Sequence, residues 1–142
     1  MKVVLLGFLL CCLATTLTAK NSQNRKMENS EKQRLVVVWT SGDHEVAENV
    51  CFMYTHNALK QKWFDEVTLV VWGPSAKLLS EDKDLQEQVK LMISDGVKVQ
   101  ACIACANMYG VADQLKGLGI KVIGMGSVLT GYLKENRKVL TF

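Results

Sequence analysis

Four runs rich in valine and isoleucine set the terms for this chain. They are "RLVVVW" (34–39), "EVTLVVW" (66–72), "GVKVQACI" (96–103) and "GIKVIGMG" (119–126), and a shorter fifth, "KVLTF" (138–142), closes the sequence. Several of these runs are apolar at successive positions. A strand with one wet face alternates apolar and polar residues, whereas a parallel strand covered on both faces reads as a continuous apolar run. The runs therefore predict parallel strands at the centre of a layered domain.

Between them the period changes from two to about 3.6. From Glu45 to Lys62, the positions Ala47, Val50, Cys51, Tyr54 and Ala58 fall on one face of a helix. "SEDKDLQEQVKLMISDG" (80–96) forms a second helix, with Leu85, Val89, Met92 and Ile93 as its apolar face and Gly96 as its C-terminal stop. A third lies between Ala104 and Leu118, with Gly110 able to break it into two short pieces, and a last short helix covers Val128 to Glu135. Strands alternating with helices at this spacing imply βαβ crossovers, and hence an α/β fold: a three-layer α/β/α sandwich around a mainly parallel five-stranded sheet.

The first residues stand apart from this domain. "MKVVLLGFLLCCLATTLTA" (1–19) has one lysine, an apolar run from Val3 to Leu13, then small and hydroxyl residues. That is the layout of a secretory signal peptide and is too short for a transmembrane span. Cys11 and Cys12 raise a lipoprotein signal, which is the weaker reading because Leu10 stands where a small residue is expected. "KNSQNRKMENSEKQ" (20–33) follows, polar and without apolar periodicity, and reads as a flexible leader. The domain then occupies 34–142. The expectation is export, to the periplasm or outside the cell, with no membrane association once the signal is removed.

Composition excludes little but excludes it firmly. With 49% hydrophobic and 22% charged residues the chain is globular. Its net charge of +3 is scattered, and no basic run is interleaved with aromatics, which argues against a nucleic-acid partner. Of five cysteines, two lie in the signal segment, leaving Cys51, Cys102 and Cys105. That number is odd and too small for a disulfide scaffold.

In open parallel sheets, chemistry collects beyond the carboxyl ends of the strands. The turns there are "TSGDHE", "GPSAK", "ACANMYG" and "GMGSVLTG", and the residues placed to line a pocket are Trp39, Ser41, Trp72, Asn107, Tyr109, Gly110 and Met125. Cys102 and Cys105 fall at the same end, three residues apart, where the third strand gives way to a helix. The thiolate is the nucleophile. A sulfur in the first turn of a helix meets unpaired N–H groups and the positive end of the helix dipole, and both lower its pKa. A second thiol three residues on can hydrogen-bond to that thiolate, or resolve an oxidised or persulfidated sulfur as a disulfide. The competing reading is two inert buried cysteines in a β–α turn; for Cys51, on the apolar face of the first helix, that reading is preferred.

His44 and His56 are the only histidines, and the second pair of closely spaced ligands that a zinc site needs is missing. No metal and no cofactor is expected. "GLGIKVIGMGSVLTG" has many glycines but not G-x-G-x-x-G between a strand and a helix, so Gly119 and Gly124 are read as turn and close-packing residues.

A parallel α/β domain of this size, with a cysteine at the end of its third strand and a glycine eight positions on, resembles the DsrE/DsrF-like family. The matching residues are Cys102 and Gly110 in "CIACANMYG", supported by "LVVVWTSGD", "VTLVVWGPSAKLL" and the closing "KVLTF". The resemblance runs from about residue 34 to 142. It implies a cysteine that carries sulfane sulfur as a persulfide and passes it to a partner protein, in a homotrimer or homohexamer. By position, Cys102 matches the sulfur-bearing cysteine, and Cys105 is an addition that assists or resolves the persulfide. The signal segment departs from the family's cytoplasmic relay members and leaves the sulfur donor and acceptor open.

Three readings remain at this point. One is a sulfur carrier, or sulfurtransferase-like protein, using Cys102 with Cys105 assisting. Another is a dithiol oxidoreductase using the same pair. The third is a non-catalytic module that holds a small ligand or serves assembly.

Overall fold

The computed structural model describes residues 32–142. The expected signal segment and all of the leader but Lys32 and Gln33 lie outside the described residues.

Strand β1 (Arg34–Trp39) and strand β2 (Glu66–Val71) coincide with the first two apolar runs, and each has five consecutive buried residues after a half-buried first one. They sit at the centre of a five-stranded sheet. Its order is β4 (Lys121–Ile123), β3 (Lys98–Cys102), β2, β1, β5 (Lys138–Thr141), and every pairing is parallel. The register sets Leu35 against Val67, Leu69 against Val99 and Cys102 against Ile123. The fold is α/β as expected, with helices on both sides of the sheet.

Period two splits the strand residues between two apolar clusters on opposite faces. Leu35, Val37, Trp39, Val67, Leu69, Val71, Val99 and Ala101 belong to the larger one. After the short α1 (His44–Val46), it is covered by Ala47–Phe52 and the continuing α2 (Met53–Lys60), by α3 (Pro74–Glu81) and α4 (Lys83–Ser94), and by the short α5 (Ile103–Met108) and α6 (Ala112–Gly117). Val36, Val38, Val70 and Cys102 belong to the smaller cluster, where α7 (Met125–Lys134) contributes Met125, Val128, Leu129 and Tyr132. Each large side chain taken fully out of water contributes roughly 1.5–3 kcal/mol.

Four local expectations are corrected. Residues Ala47–Phe52, between α1 and α2, are π-helical. The wider turn rotates the helix face, so Val50 is 42% exposed while Phe52, absent from the expected face, is buried and meets Trp39 edge-on with ring centroids 4.9 Å apart. "GPSAK" is a helix rather than a bare turn: Pro74 occupies the first position of α3, where its missing N–H costs nothing. The next helix begins at Lys83 instead of Ser80 because the Asp82 carboxylate accepts the Leu85 N–H at 3.0 Å. Finally, α7 starts at Met125, three residues before the expected Val128.

Other punctuation falls as read. Gly96, at φ 105°, closes α4, and the Val97 N–H reaches back to the Met92 carbonyl at 2.9 Å. Gly110, at φ 70°, separates α5 from α6. Gly119 is a turn residue at φ 83°, but no close packing requires Gly124: an added Cβ there would meet nothing within 4 Å.

A polar network fastens the far end of α7. Arg137 lies over the Tyr132 ring at 4.2 Å and pairs with Glu66 at 2.8 Å, and the Tyr132 hydroxyl donates to Gln100 at 3.0 Å. Lys98, at 2.7 Å, and Arg137 hold the Glu66 carboxyl below its ordinary range, against the opposing effect of burial.

Candidate functional site

Strand β3 ends on Cys102, and the same residue is the N-cap of α5, with φ −72° and ψ 116°. Extended backbone at a cap leaves the N–H groups of the first helical turn without partners and turns them toward the cap side chain. Serine or aspartate usually fills this role. Here the cap side chain is a thiol, and it closes no side-chain cap hydrogen bond. The N–H groups of Ala104 and Cys105, and that of Met125, the first residue of α7, still favour the Cys102 anion. The Cys105 thiol, packed against the same cluster, favours it too.

These contacts decide the charge. Cys102 is 6% exposed, and burial opposes its ionisation. The backbone donors and the Cys105 thiol outweigh that opposition and bring Cys102 below an ordinary thiol. Cys105 moves the other way. Burial and the neighbouring Cys102 raise its half-buried thiol above an ordinary one, against the lowering effect of the Gly73 N–H. One sulfur is thus prepared to be the anion and the other to keep its proton. Cys51 lies in the larger cluster, where burial pushes it up to about 12 against a hydrogen bond with Thr55. All three thiols are free.

The expected pocket residues divide. Met125 is buried beside the sulfurs and supplies an N–H, and Trp72 packs in the same cluster, next to the Gly73 donor. Trp39 belongs to the opposite face, in the larger cluster, so it does not line this site: its ring follows the alternation of β1 away from Cys102. Ser41 is occupied in local structure, its hydroxyl accepting the Asp43 N–H at 3.1 Å. Asn107, Tyr109 and Gly110 lie exposed at and just beyond the end of α5. Reading side chains missed Ala104 and Gly73, which act through the backbone. The only available cue was a "WGP" turn after the second strand.

A groove of about 200 Å³ lies elsewhere, between the first helix and α4, lined by Glu48, Met53, His56, Gln88 and Leu91 among others. His44 faces Asp82 at 3.3 Å and His56 bonds to Asp95 at 2.6 Å. Among the described residues, no group of three or more His, Cys, Asp or Glu could hold a metal ion, and no helix is long and apolar enough to cross a membrane.

Comparison with known proteins bears on this geometry. No curated protein sequence matches the chain. A conserved protein of unknown function from Bacteroides thetaiotaomicron has a similar structure, with 33% identity and a TM-score of 0.75, over 78% of this chain and 95% of that one. The ychN protein from E. coli shares the fold at 18% identity and a TM-score of 0.63, over 78% of this chain and 99% of its own. The model of the DsrE/DsrF-like family matches residues 33–142. With its parallel sheet and the span of that match, the chain belongs to the DsrE/DsrF-like family.

Proposed function

We propose that this protein is a sulfur carrier, sulfurtransferase-like, that holds sulfane sulfur as a persulfide on Cys102 with Cys105 assisting. The observation that supports it most is the Cys102 sulfur itself, met by backbone N–H groups from two separate helices and by a second thiol. Loading is a nucleophilic substitution: the Cys102 thiolate attacks a sulfane sulfur, a new S–S bond forms, and the donor leaves as a shorter polysulfide or a thiolate. Unloading reverses the roles. An acceptor thiolate attacks the outer sulfur, and Cys102 departs as a thiolate. The same N–H groups serve both directions, because they favour the anion that attacks and the anion that leaves. The signal-like layout of residues 1–19 favours export, to the periplasm or outside the cell, and family membership favours a homotrimer or homohexamer meeting a donor or acceptor protein.

Intact mass spectrometry after polysulfide treatment tests the proposal. The expected result is a gain of one sulfur atom, removable by reductant and mapped to Cys102, that is kept in Cys105→Ser and absent in Cys102→Ser. Loading that persists in that variant overturns it. A second reading, a dithiol oxidoreductase, draws on the two thiols lying three residues apart in one cluster. It predicts loss of two hydrogens across the pair and no sulfur gained at Cys102 even in Cys105→Ser.

A further inference from the structure

Cys105 takes part in none of the bond changes of simple carriage: Cys102 alone forms and breaks the persulfide. Yet Cys105 lies in the first turn of the helix that Cys102 caps and packs against the same small cluster as Cys102. It is also the more exposed of the two, half-buried where Cys102 is almost wholly buried. While Cys102 is a bare thiolate, the negative charge beside Cys105 helps keep it protonated. Loading changes the neighbour. The inner sulfur of a persulfide is neutral, and the negative charge moves one bond outward. The restraint on Cys105 falls at the moment that Cys102 becomes electrophilic.

From this placement we propose that Cys105 discharges the persulfide by an intramolecular reaction, so that the site reduces sulfane sulfur to hydrosulfide when no acceptor takes it. The Cys105 S–H gives its proton to the outer sulfur. Its sulfur then attacks the inner sulfur of Cys102, the bond between inner and outer sulfur breaks, and the electron pair leaves with hydrosulfide. The products are one hydrosulfide and a Cys102–Cys105 disulfide. The sulfane sulfur is reduced, the two cysteines are oxidised, and the charge is −1 before and after. Renewal requires a dithiol reductant. That reductant attacks Cys105, the sulfur it can reach, and Cys102 leaves as the thiolate that the Ala104, Cys105 and Met125 N–H groups stabilise.

This inference rests on the reading that Cys102 loads sulfane sulfur, and one experiment separates the two. The full protein is treated with inorganic polysulfide under anaerobic conditions, freed of excess reagent and followed by free-sulfide assay and intact mass. The expected result is release of one sulfide per loaded chain, with the added sulfur lost and a disulfide mapped to Cys102 and Cys105. In Cys105→Ser and Cys105→Ala the added sulfur should persist, and sulfide should appear only when an external thiol is supplied. If wild type and both variants hold the sulfur equally long, the discharge is overturned while carriage stands. If neither wild type nor either Cys105 variant gains sulfur at Cys102, the carrier reading itself fails.

Discussion

Cys51 and Cys102 are both buried, yet their sulfurs are driven in opposite directions. Cys51 faces hydrocarbon beneath the first helix, and its thiol is pushed up to about 12. Cys102 lies at the edge of the other cluster, where a strand ends and two helices begin, and its thiol falls below the ordinary value. Removal from water makes a cysteine inert only when the surroundings offer no donors. A sulfur surrounded by N–H groups can be dry and still more acidic than an ordinary thiol.

The comparison breaks first on reactivity. In the folded protein near neutral pH, an alkylating reagent should label Cys102 while sparing Cys51. A shift from 9.0 to about 12 at Cys51 alone lowers its thiolate fraction about a thousandfold, since each unit is tenfold. Peptide mapping after a timed quench reads both sites at once, and comparable labelling would dissolve the contrast. Packing gives the next largest effect. Phe52→Ala should cost about 3–5 kcal/mol in urea unfolding, while Val50→Ala should stay within about 0.5 kcal/mol, because the π-helical segment buries the first and exposes the second. The reverse ranking would restore a regular helix there.

The pH dependence has a definite sign at each thiol. Cys51 is raised in the folded state, so its contribution to stability is complete below its unfolded value of 9.0 and is lost between there and about 12. The loss approaches about 1.4 kcal/mol per pH unit. Cys102 is depressed, so its contribution is present above the unfolded value and is lost as pH falls through the folded one. Unfolding curves of Cys51→Ala and Cys102→Ser against wild type isolate the two slopes, which should be opposite. The smallest expected effect is at the glycines. Gly110→Ala should cost roughly 1–2 kcal/mol through its left-handed backbone, while Gly124→Ala, at φ −68° with open space around it, should be nearly neutral. Thermal melts of the two variants settle that ranking.

The sheet was legible because burial on both faces leaves a mark in composition: five of the six residues in β1 and in β2 had to be apolar or small enough to hide. The pair at Cys102 and Cys105 was legible too, since thiols are rare and their spacing against a strand end is visible. What escaped were features carried by the backbone. Gly73, Ala104 and Met125 donate N–H groups that every non-proline residue has, so nothing in their identity marks them. The π-helical segment escaped because a face drawn at 3.6 residues per turn assumes the winding it is meant to test. Trp39 was placed on the wrong side because proximity to a strand end says nothing about which way an alternating side chain turns.

One further consequence concerns α7. Its first N–H belongs to the set that holds the Cys102 sulfur, and Met125 is its only fully buried residue. Its remaining hold on the sheet runs through half-buried Val128, Leu129 and Tyr132 and through the Arg137–Glu66 network beyond its far end. Local opening of such a helix costs less than unfolding the whole domain. Each opening removes one donor from the sulfur and returns it when the helix closes. The acidity of Cys102 is therefore a time average over the breathing of α7, and amide exchange at Met125 is its clock.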